Sequence, residues 1–339
     1  MITIYEVARL AGVSKSTVSR VLNSSGYVSE SVRNRVEKVI RENNYTPSAA
    51  AVSLSRRETN AIGVVIPQFD NTFFGEVLKG ISEISDANDY TIICCDTASD
   101  IYKEERALTM LQQQRVCGLI VAPVHDRPNI EDSNRLLECF KGLGIPIVIV
   151  DRYLDHIELD GVYYENFQSG YIAASELIKA GNKSIGVITG DLRLRIARDR
   201  YRGVEQAVKD AGLELNPSFV LNGDFGIKTA YELSHELLKS GVYPDAIITC
   251  NNRTSLGFLK AVREYNMEIG KDIAVIGIDR IEVLDILDYK FSCVGRDTHE
   301  MGRTAMRLLC ERIENESAHR TVHMIPCILD LKGSEKKFK

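Results

Sequence analysis

The spacing of apolar positions along this 339-residue chain changes near residue 60. Before that point apolar residues recur at helical intervals. Thr3-Ile4-Tyr5-Glu6 places a Thr at N-cap and a Glu three residues on, a capping box, and the helix it opens puts Val7, Ala8 and Leu10 or Ala11 on one side. Gly12 stops that helix, and Ser14 caps a second over Lys15 to Leu22. A third helix starts near Ser29-Glu30, runs to about Asn44, and buries Val32, Val36, Val39 and Ile40. Two short helices joined by the tight turn Gly12-Val13 predict a helix-turn-helix within a three-helix bundle over residues 1–46.

Beyond residue 60 short apolar runs alternate with helical periods. The runs are AIGVVIP (61–67), TIICCD (91–96), GLIVAP (118–123) and IPIVIVD (145–151). They continue with a run at 161–165, then SIGVITG (184–190), FVLNGDF (219–225), DAIITCN (245–251) and IAVIGID (273–279). Short β-branched runs separated by helices predict parallel sheets covered on both faces. Two such series predict a two-lobed, doubly wound α/β core over 60–334, with a hinge and linker at 47–59 and a polar tail at 335–339. The first lobe is expected at about 60–160 and 291–320, the second at about 161–290 and 321–334.

Ligands of such folds sit at the carboxyl ends of the strands. The candidates there are Phe69 to Phe74, Asp151-Arg152, Gly190-Asp191, Phe225, Asn251-Asn252 and Asp279. Aromatic faces mixed with amides, acids and arginine suit a small polar molecule such as a sugar. The segment RLRIARDRYR adds Arg193, Arg195, Arg198, Arg200 and Arg202. A sugar acid or sugar phosphate is one reading of it, and a solvated basic helix face is the other.

Composition narrows the function classes. At 44% hydrophobic and 26% charged the chain is globular, and no stretch reaches the ~18 apolar residues that cross a bilayer. The amino terminus has no apolar signal core, and eight cysteines occur without a CxxC pair, so a cytoplasmic protein with reduced thiols is expected. The net charge of −5 is uneven: residues 1–60 carry nine Lys and Arg against five acids, net +4, leaving −9 for the rest. A basic head on an acidic body points to a polyanion partner for the head alone. Its second helix presents Lys15, Ser16, Thr17, Ser19 and Arg20, with Asn23 at its end, short hydrogen-bonding groups beside long cations. No GxGxxG or Walker sequence, no HExxH and no Gly-x-Ser-x-Gly elbow is present. Neither an enzyme nor a cofactor or metal is expected.

One stretch fits neither head nor body. In YTPSAAAVSLSRRETN (45–60) small residues surround a single large apolar one, Leu54, with no stripe to dock on a core. A helix this short is marginal in water.

The run TIYEVARLAGVSKSTVSRVLNSSGYVSESVRNRVEKVIRENNYTPSAAAVSL resembles the DNA-binding head of the lactose/galactose repressor (LacI/GalR) family. The landmarks VVIPQFDNTFF, VDR, YENFQSGYIAASELIKAGNKSIGVITG, RDRYRGVEQAV, AIITCNNRTSLGFLKAV, VIGID and MGRTAMRLL extend the resemblance over about residues 2–334, with a core similar to periplasmic sugar-binding proteins. The resemblance implies a homodimeric repressor of carbohydrate genes on a palindromic operator, with no membrane role. Ser16, Thr17 and Arg20 take base-reading positions and Asn23 lies close to the backbone; Thr3 and Ser48 complete the candidate contacts. Ala51 and Leu54 match a hinge helix that folds in the minor groove, the leucine wedged between base pairs. In the core it implies effector contacts at Phe73, Phe74, Arg152, Arg200, Phe225, Asn252 and Asp279. A protein co-regulator is the alternative signal. Departures from the family pattern are Val52 for Arg, Asn252 for Asp in Asn-Asp, Glu165 for Asp, Asn182 for His, and CVGRD (293–297) for TTVxQP.

Overall fold

The computed structural model describes residues 2–22, 25–45, 59–124, 130–154, 157–315 and 319–337, with the backbone alone over 130–133. Asn23, Ser48, Ala51, Leu54 and the expected hinge helix lie outside the described residues. The chain divides into two units, Met1–Thr59 and Asn60–Lys339.

In the first unit α1 (Ile4–Ala11), α2 (Lys15–Leu22) and α3 (Glu30–Glu42) pack around Val7, Ala8, Ala11, Val18, Val21 and Val36. Both halves of the capping box form: Glu6 N donates to Thr3 Oγ1 at 3.4 Å, and Thr3 N to Glu6 Oε2 at 2.7 Å. Gly12 ends α1 at φ 64°, a conformation that favours glycine. Of the two alternatives for the inner face, Ala11 is buried and Leu10 is 52% exposed. Val32, Val39 and Ile40 pack at the edge of this core, and only Val36 of the four expected positions is fully inside.

The second unit holds two six-stranded sheets. β1 (Ala61–Ile66), β2 (Thr91–Asp96), β3 (Gly118–Val121), β4 (Ile147–Val150) and β5 (Asp160–Tyr164) build one, and β6 (Ile185–Ile188), β7 (Val220–Leu221), β8 (Ala246–Thr249), β9 (Ala274–Ile278) and β10 (Cys293–Gly295) the other. β11 (Val322–Ile325) and β12 (Ile328–Asp330) complete them, giving the orders β11-β5-β4-β3-β1-β2 and β12-β10-β9-β8-β6-β7. All pairings are parallel except β10 with β12. The connecting helices are α4 (Thr72–Ala87), α5 (Ile101–Gln113), α6 (Ile130–Leu143), α7 (Asn166–Lys179), α8 (Arg195–Asp210), α9 (Ile227–Lys239), α10 (Asn252–Glu264), α11 (Glu282–Ile286) and α12 (Thr298–Glu314). Central strands such as β3, β4, β6 and β8 are buried at every position, which is why they read as unbroken apolar runs.

Three segments pass between the lobes, and each crosses later than the sequence suggested. β5 pairs with β4, so residues 160–164 belong to the first lobe, not the second. β10 pairs with β9, so 293–295 belong to the second lobe, not the first. β11 pairs with β5, returning 322–325 to the first lobe. Edge pairing decides these memberships, and hydrophobic patterning cannot see it. The expected strand over 219–225 shrinks to Val220–Leu221, freeing Asp224 and Phe225 to turn toward the other lobe.

The polar tail is also not a frayed end as far as Lys337. Ser334 and Glu335 are buried; Ser292 Oγ donates to the Glu335 carboxylate at 2.5 Å, and Lys337 pairs with Asp245 at 2.9 Å. Asn182, a departure from the family pattern, donates to the backbone oxygens of Leu177 and Glu335, tying this segment to the end of α7.

Helix pairs in both lobes cross closely at glycines. A Cβ at Gly80 in α4 would lie 2.0 Å from the His299 carbonyl oxygen at α12, and one at Gly170 in α7 would lie 1.9 Å from the Arg200 carbonyl oxygen in α8. Gly170→Ala should therefore force α7 and α8 apart and cost about 3 kcal/mol, the upper end of overpacking. Calorimetry would detect this as a drop in melting temperature of several degrees. Gly75→Ala, which meets nothing within 4 Å, should not lower stability. Equal melting temperatures for the two variants would refute the close crossing.

Candidate functional site

The strand ends of the two lobes face each other across one cavity of about 230 Å³. The end of β1 delivers Gln68 and Asn71, and the first turn of α4 delivers Phe73 and Phe74, whose ring centroids lie 4.8 Å apart. Asn71 caps α4 by accepting from Phe73 N at 3.1 Å. Asp151 and Arg152 follow β4, Phe225 follows β7, Asn252 opens α10, and Asp279 follows β9. All seven expected cleft residues line this cavity: Phe73, Phe74, Arg152, Arg200, Phe225, Asn252 and Asp279. Phe69 lies outside the lining and is half-exposed.

The backbone is held unusually at four lining positions, Ser99 at φ 57° and three that leave strand ends. Asp151, Phe225 and Asp279 adopt φ of 64°, 66° and 71°, a region that side chains disfavour and that persists where surrounding structure enforces it. Each turns its residue sharply off a strand end. Gly190 makes room for the Phe225 ring; a Cβ there would lie 2.0 Å from it.

Four Asp (151, 191, 224 and 279) and four Arg (152, 193, 200 and 296) line the cavity. Arg296 is deeply enclosed among these charges, with a side chain 3% exposed. Its Nη1 donates to Asp151 Oδ1 at 2.9 Å, its Nε lies 3.1 Å from Asp279 Oδ1, and its guanidinium sits over the rings of Phe73 and Tyr164 at 4.1 and 4.4 Å. Burial alone would lower its pKa, but the carboxylates of Asp279 and Asp151 outweigh that and hold it above the ordinary arginine value. Tyr164 fixes the segment by donating to Gly295 O at 3.0 Å. Burial pushes the pKa of this phenol well up, so it stays protonated and able to donate.

Arg200 is 1% exposed and forms no ion pair among the described residues. Its Nε donates to Asn166 Oδ1 at 2.8 Å and its Nη1 to the Cys250 carbonyl oxygen. The rest of the arginine-rich run behaves differently. Arg193 lines the cavity but pairs with Asp191 at 2.6 Å, Arg202 lies near Asp199, and Arg195 stacks over Tyr153 at 4.3 Å. Arg152 donates through Nη1 to the carbonyl oxygens of Pro123, at 3.0 Å, and Val124.

The rims of the cleft are joined. Asn252 Nδ2 donates across it to Asn71 Oδ1 at 3.2 Å and Thr72 Oγ1 at 3.0 Å, while its Oδ1 accepts from Arg253 N at 2.8 Å. Arg253 pairs with Asp70 at 2.9 Å. Asn252 thus lines the cavity but spends its amide on the opposite lobe. Asn71 fell within the candidate stretch Phe69 to Phe74, whereas Arg296, Asn166 and Tyr164 were not among the sequence candidates. Arg296 stood in CVGRD, a departure already visible, and its place at a strand end was the signal.

In the head, α2 buries Val18 and Val21 and leaves Lys15, Ser16 and Arg20 exposed, with Thr17 and Ser19 half-buried. Ser14 Oγ lies within hydrogen-bond distance of Ser16 Oγ and Thr17 Oγ1, at 2.7 and 2.9 Å, and Lys15 sits over the Tyr5 ring at 4.9 Å. Thr3 is committed to the α1 cap. The exposed face of α2 is cationic and rich in hydroxyls, the chemistry that phosphates and base edges require.

A family model for periplasmic binding proteins and the sugar binding domain of the LacI family matches residues 59–334. A second, for bacterial regulatory proteins of the lacI family, matches residues 3–48. The ribose operon repressor of Haemophilus influenzae is 32% identical over 331 residues, covering 97% of this chain and 98% of that protein. The HTH-type transcriptional repressor PurR of Pasteurella multocida is 33% identical over 322 residues, 95% of each. Among solved structures, the complex of the transcriptional regulator CelR with cellobiose matches with a TM-score of 0.73 and 26% identity, covering 98% of this chain and 100% of that one.

Proposed function

The chain belongs to the LacI family of bacterial regulatory proteins, and from that premise we propose which ligand controls it and how it meets DNA. Like the repressors it resembles over nearly its whole length, it is a ligand-controlled DNA-binding repressor and not an enzyme. The proposed effector is a neutral monosaccharide, and the proposed targets are carbohydrate genes in the cytoplasm.

The observation that carries this reading is a small cavity with balanced charge. At about 230 Å³ it falls below the ~300–1,000 Å³ of drug-sized pockets, which suits one sugar ring. Arg296 is committed to Asp151 and Asp279, and Arg193 to Asp191. A phosphate or carboxylate drawn to Arg200 would meet two aspartates on the same floor. Hydroxyls, which both donate and accept, match the mixture of carboxylates, amides and guanidinium groups. This favours a neutral sugar over the sugar acid or phosphate that the arginine-rich run suggested. A ribose operon repressor among the relatives supports the same class.

We further propose that two copies bind a palindromic operator. Ser16, Thr17 and Arg20 of each would read base edges, Lys15, Ser19 and Asn23 would hold the flank, and Leu54 would wedge into the minor groove between the half-sites. Ala51 and Ser48 would line the approach, and Thr3 would act through the α1 cap. Sugar binding would shift the balance between lobe arrangements that favour and disfavour the paired hinges, a coupling typically of about 1–3 kcal/mol.

The test is a thermal-shift panel on the full chain with neutral monosaccharides, sugar acids, sugar phosphates and purines. A neutral monosaccharide, D-ribose first, at 100 times its Kd should add about 2.7 kcal/mol and raise the melting temperature by roughly 5 °C or more. The same sugar should change binding to a palindrome selected from a random DNA pool. A shift with sugar phosphates alone would restore the anionic reading. No shift at all would leave a protein co-regulator as the signal.

A further inference from the structure

Two atoms on the cavity floor make no hydrogen bond although each is buried and each faces the other. Arg296 Nε and Asp279 Oδ1 lie 3.1 Å apart, yet the N–H is not directed at the oxygen, and neither atom finds another partner. Both side chains are more than nine-tenths enclosed, at 3% and 8% exposure. An unmet buried donor beside an unmet buried acceptor is costly and uncommon in a folded protein. It persists here because each group is held from elsewhere. Asp279 is fixed by its left-handed backbone at the end of β9. Arg296 is fixed by Asp151 and by the rings of Phe73 and Tyr164.

We propose that Arg296 and Asp279 together read one hydroxyl of the ligand, making Arg296 a specificity-determining residue of the cleft. A hydroxyl oxygen accepts from Arg296 Nε while its proton goes to Asp279 Oδ1, so one group meets both needs. Both residues line the cavity. A phosphate or carboxylate oxygen satisfies only the donor and places charge against Asp279. A ring position bearing only hydrogen satisfies neither. The selection is therefore for a hydroxyl at one defined position of a neutral ring. Arg296 also bonds Asp151 in the first lobe while Asp279 belongs to the second, so the hydroxyl would tighten the junction between lobes. The inference rests on the reading of the cleft as a sugar site and adds the residue pair that selects within that class.

The experiment is isothermal titration of the full chain with D-ribose and D-glucose, their monodeoxy analogues, and their terminal phosphates. In the wild type, one deoxy position of the sugar that binds should weaken affinity by about 30-fold or more, because its loss leaves buried partners unpaired. The same comparison is made in Arg296→Gln and in Arg296→Lys. The lysine keeps a cation between the two carboxylates, protecting the fold, but has no Nε at that place. In both variants the parent sugar and the discriminating analogue should bind within about threefold of each other, by the same reasoning. A parent sugar that binds with a flat deoxy series overturns this inference alone. So does a discriminating position whose penalty survives in Arg296→Lys. Binding of the phosphates without the neutral sugars, or of neither, overturns the sugar reading and this inference with it.

Discussion

Arg200→Ala should lose its response to cleft ligands, with the sugar Kd raised about 10³-fold while the head still binds DNA. The guanidinium is buried, lines the cavity, and is held at one edge by Asn166 Oδ1 and the Cys250 carbonyl oxygen. Truncating a buried, hydrogen-bonded charge costs roughly 2–5 kcal/mol of binding, and about 4 kcal/mol corresponds to a factor near 10³. The same change leaves two acceptors without their donor at about 1–3 kcal/mol each, so the melting temperature should also fall. Arg200→Lys separates these effects, because it restores charge without the planar fork that meets both acceptors. It should regain stability more fully than affinity. Fluorescence anisotropy on operator DNA, with and without sugar, supplies the readout: DNA binding should be present and indifferent to sugar in the alanine variant. A normal sugar response in Arg200→Ala would reduce Arg200 to a packing residue.

That Arg200 stands apart from its four arginine neighbours was legible in the chain. Ala197, Arg200, Gly203, Val204 and Ala207 recur at helical spacing and form the buried face of α8. An arginine on the apolar stripe of an amphipathic helix is either paired or waiting for a ligand, whereas Arg198 and Arg202 fall on the outer face. Most of the other candidate cleft residues were legible for a related reason, since they follow buried strands whose ends fix their direction. Arg296 was harder to find. Its strand, β10, has three residues, too few to show a period, and its importance arises from Asp151 and Asp279, more than a hundred residues and seventeen residues earlier in the chain. The lobe crossings at 164, 295 and 325 were misplaced because each depends on which sheet edge accepts a strand. Glu335 looked solvent-bound because its partner Ser292 comes from a distant loop.

Asn252→Asp should open the cleft of the sugar-free protein and weaken sugar binding by up to about 30-fold. The orientation of the Asn252 amide is not free: its Oδ1 accepts from Arg253 N, which forces Nδ2 toward the other lobe. There it meets Asn71 Oδ1, itself held as an acceptor by Phe73 N, and the Thr72 hydroxyl. An aspartate would set a carboxylate oxygen about 3.2 Å from another acceptor, where the amide now donates. A repulsion between two oxygens would replace that hydrogen bond, and only Thr72 could turn its proton to compensate. About 2 kcal/mol against closure is a fair magnitude, or roughly 30-fold in the ratio of closed to open forms. Asp at the first turn of α10 would meanwhile favour the helix itself by about 0.3–1 kcal/mol, so the lobe carrying it should stay folded. Small-angle scattering should register a larger radius of gyration without sugar, restored when sugar saturates the cleft. Because the sugar touches both lobes, its apparent affinity falls by the closed fraction lost. Unchanged scattering and unchanged affinity would mean that Asn252 does not hold the lobes together. A fall in affinity with scattering unchanged would assign it instead to the ligand, as the sequence first suggested. The departure from Asp at this position thus has a physical content: an amide can hold the empty cleft closed where a carboxylate would oppose it.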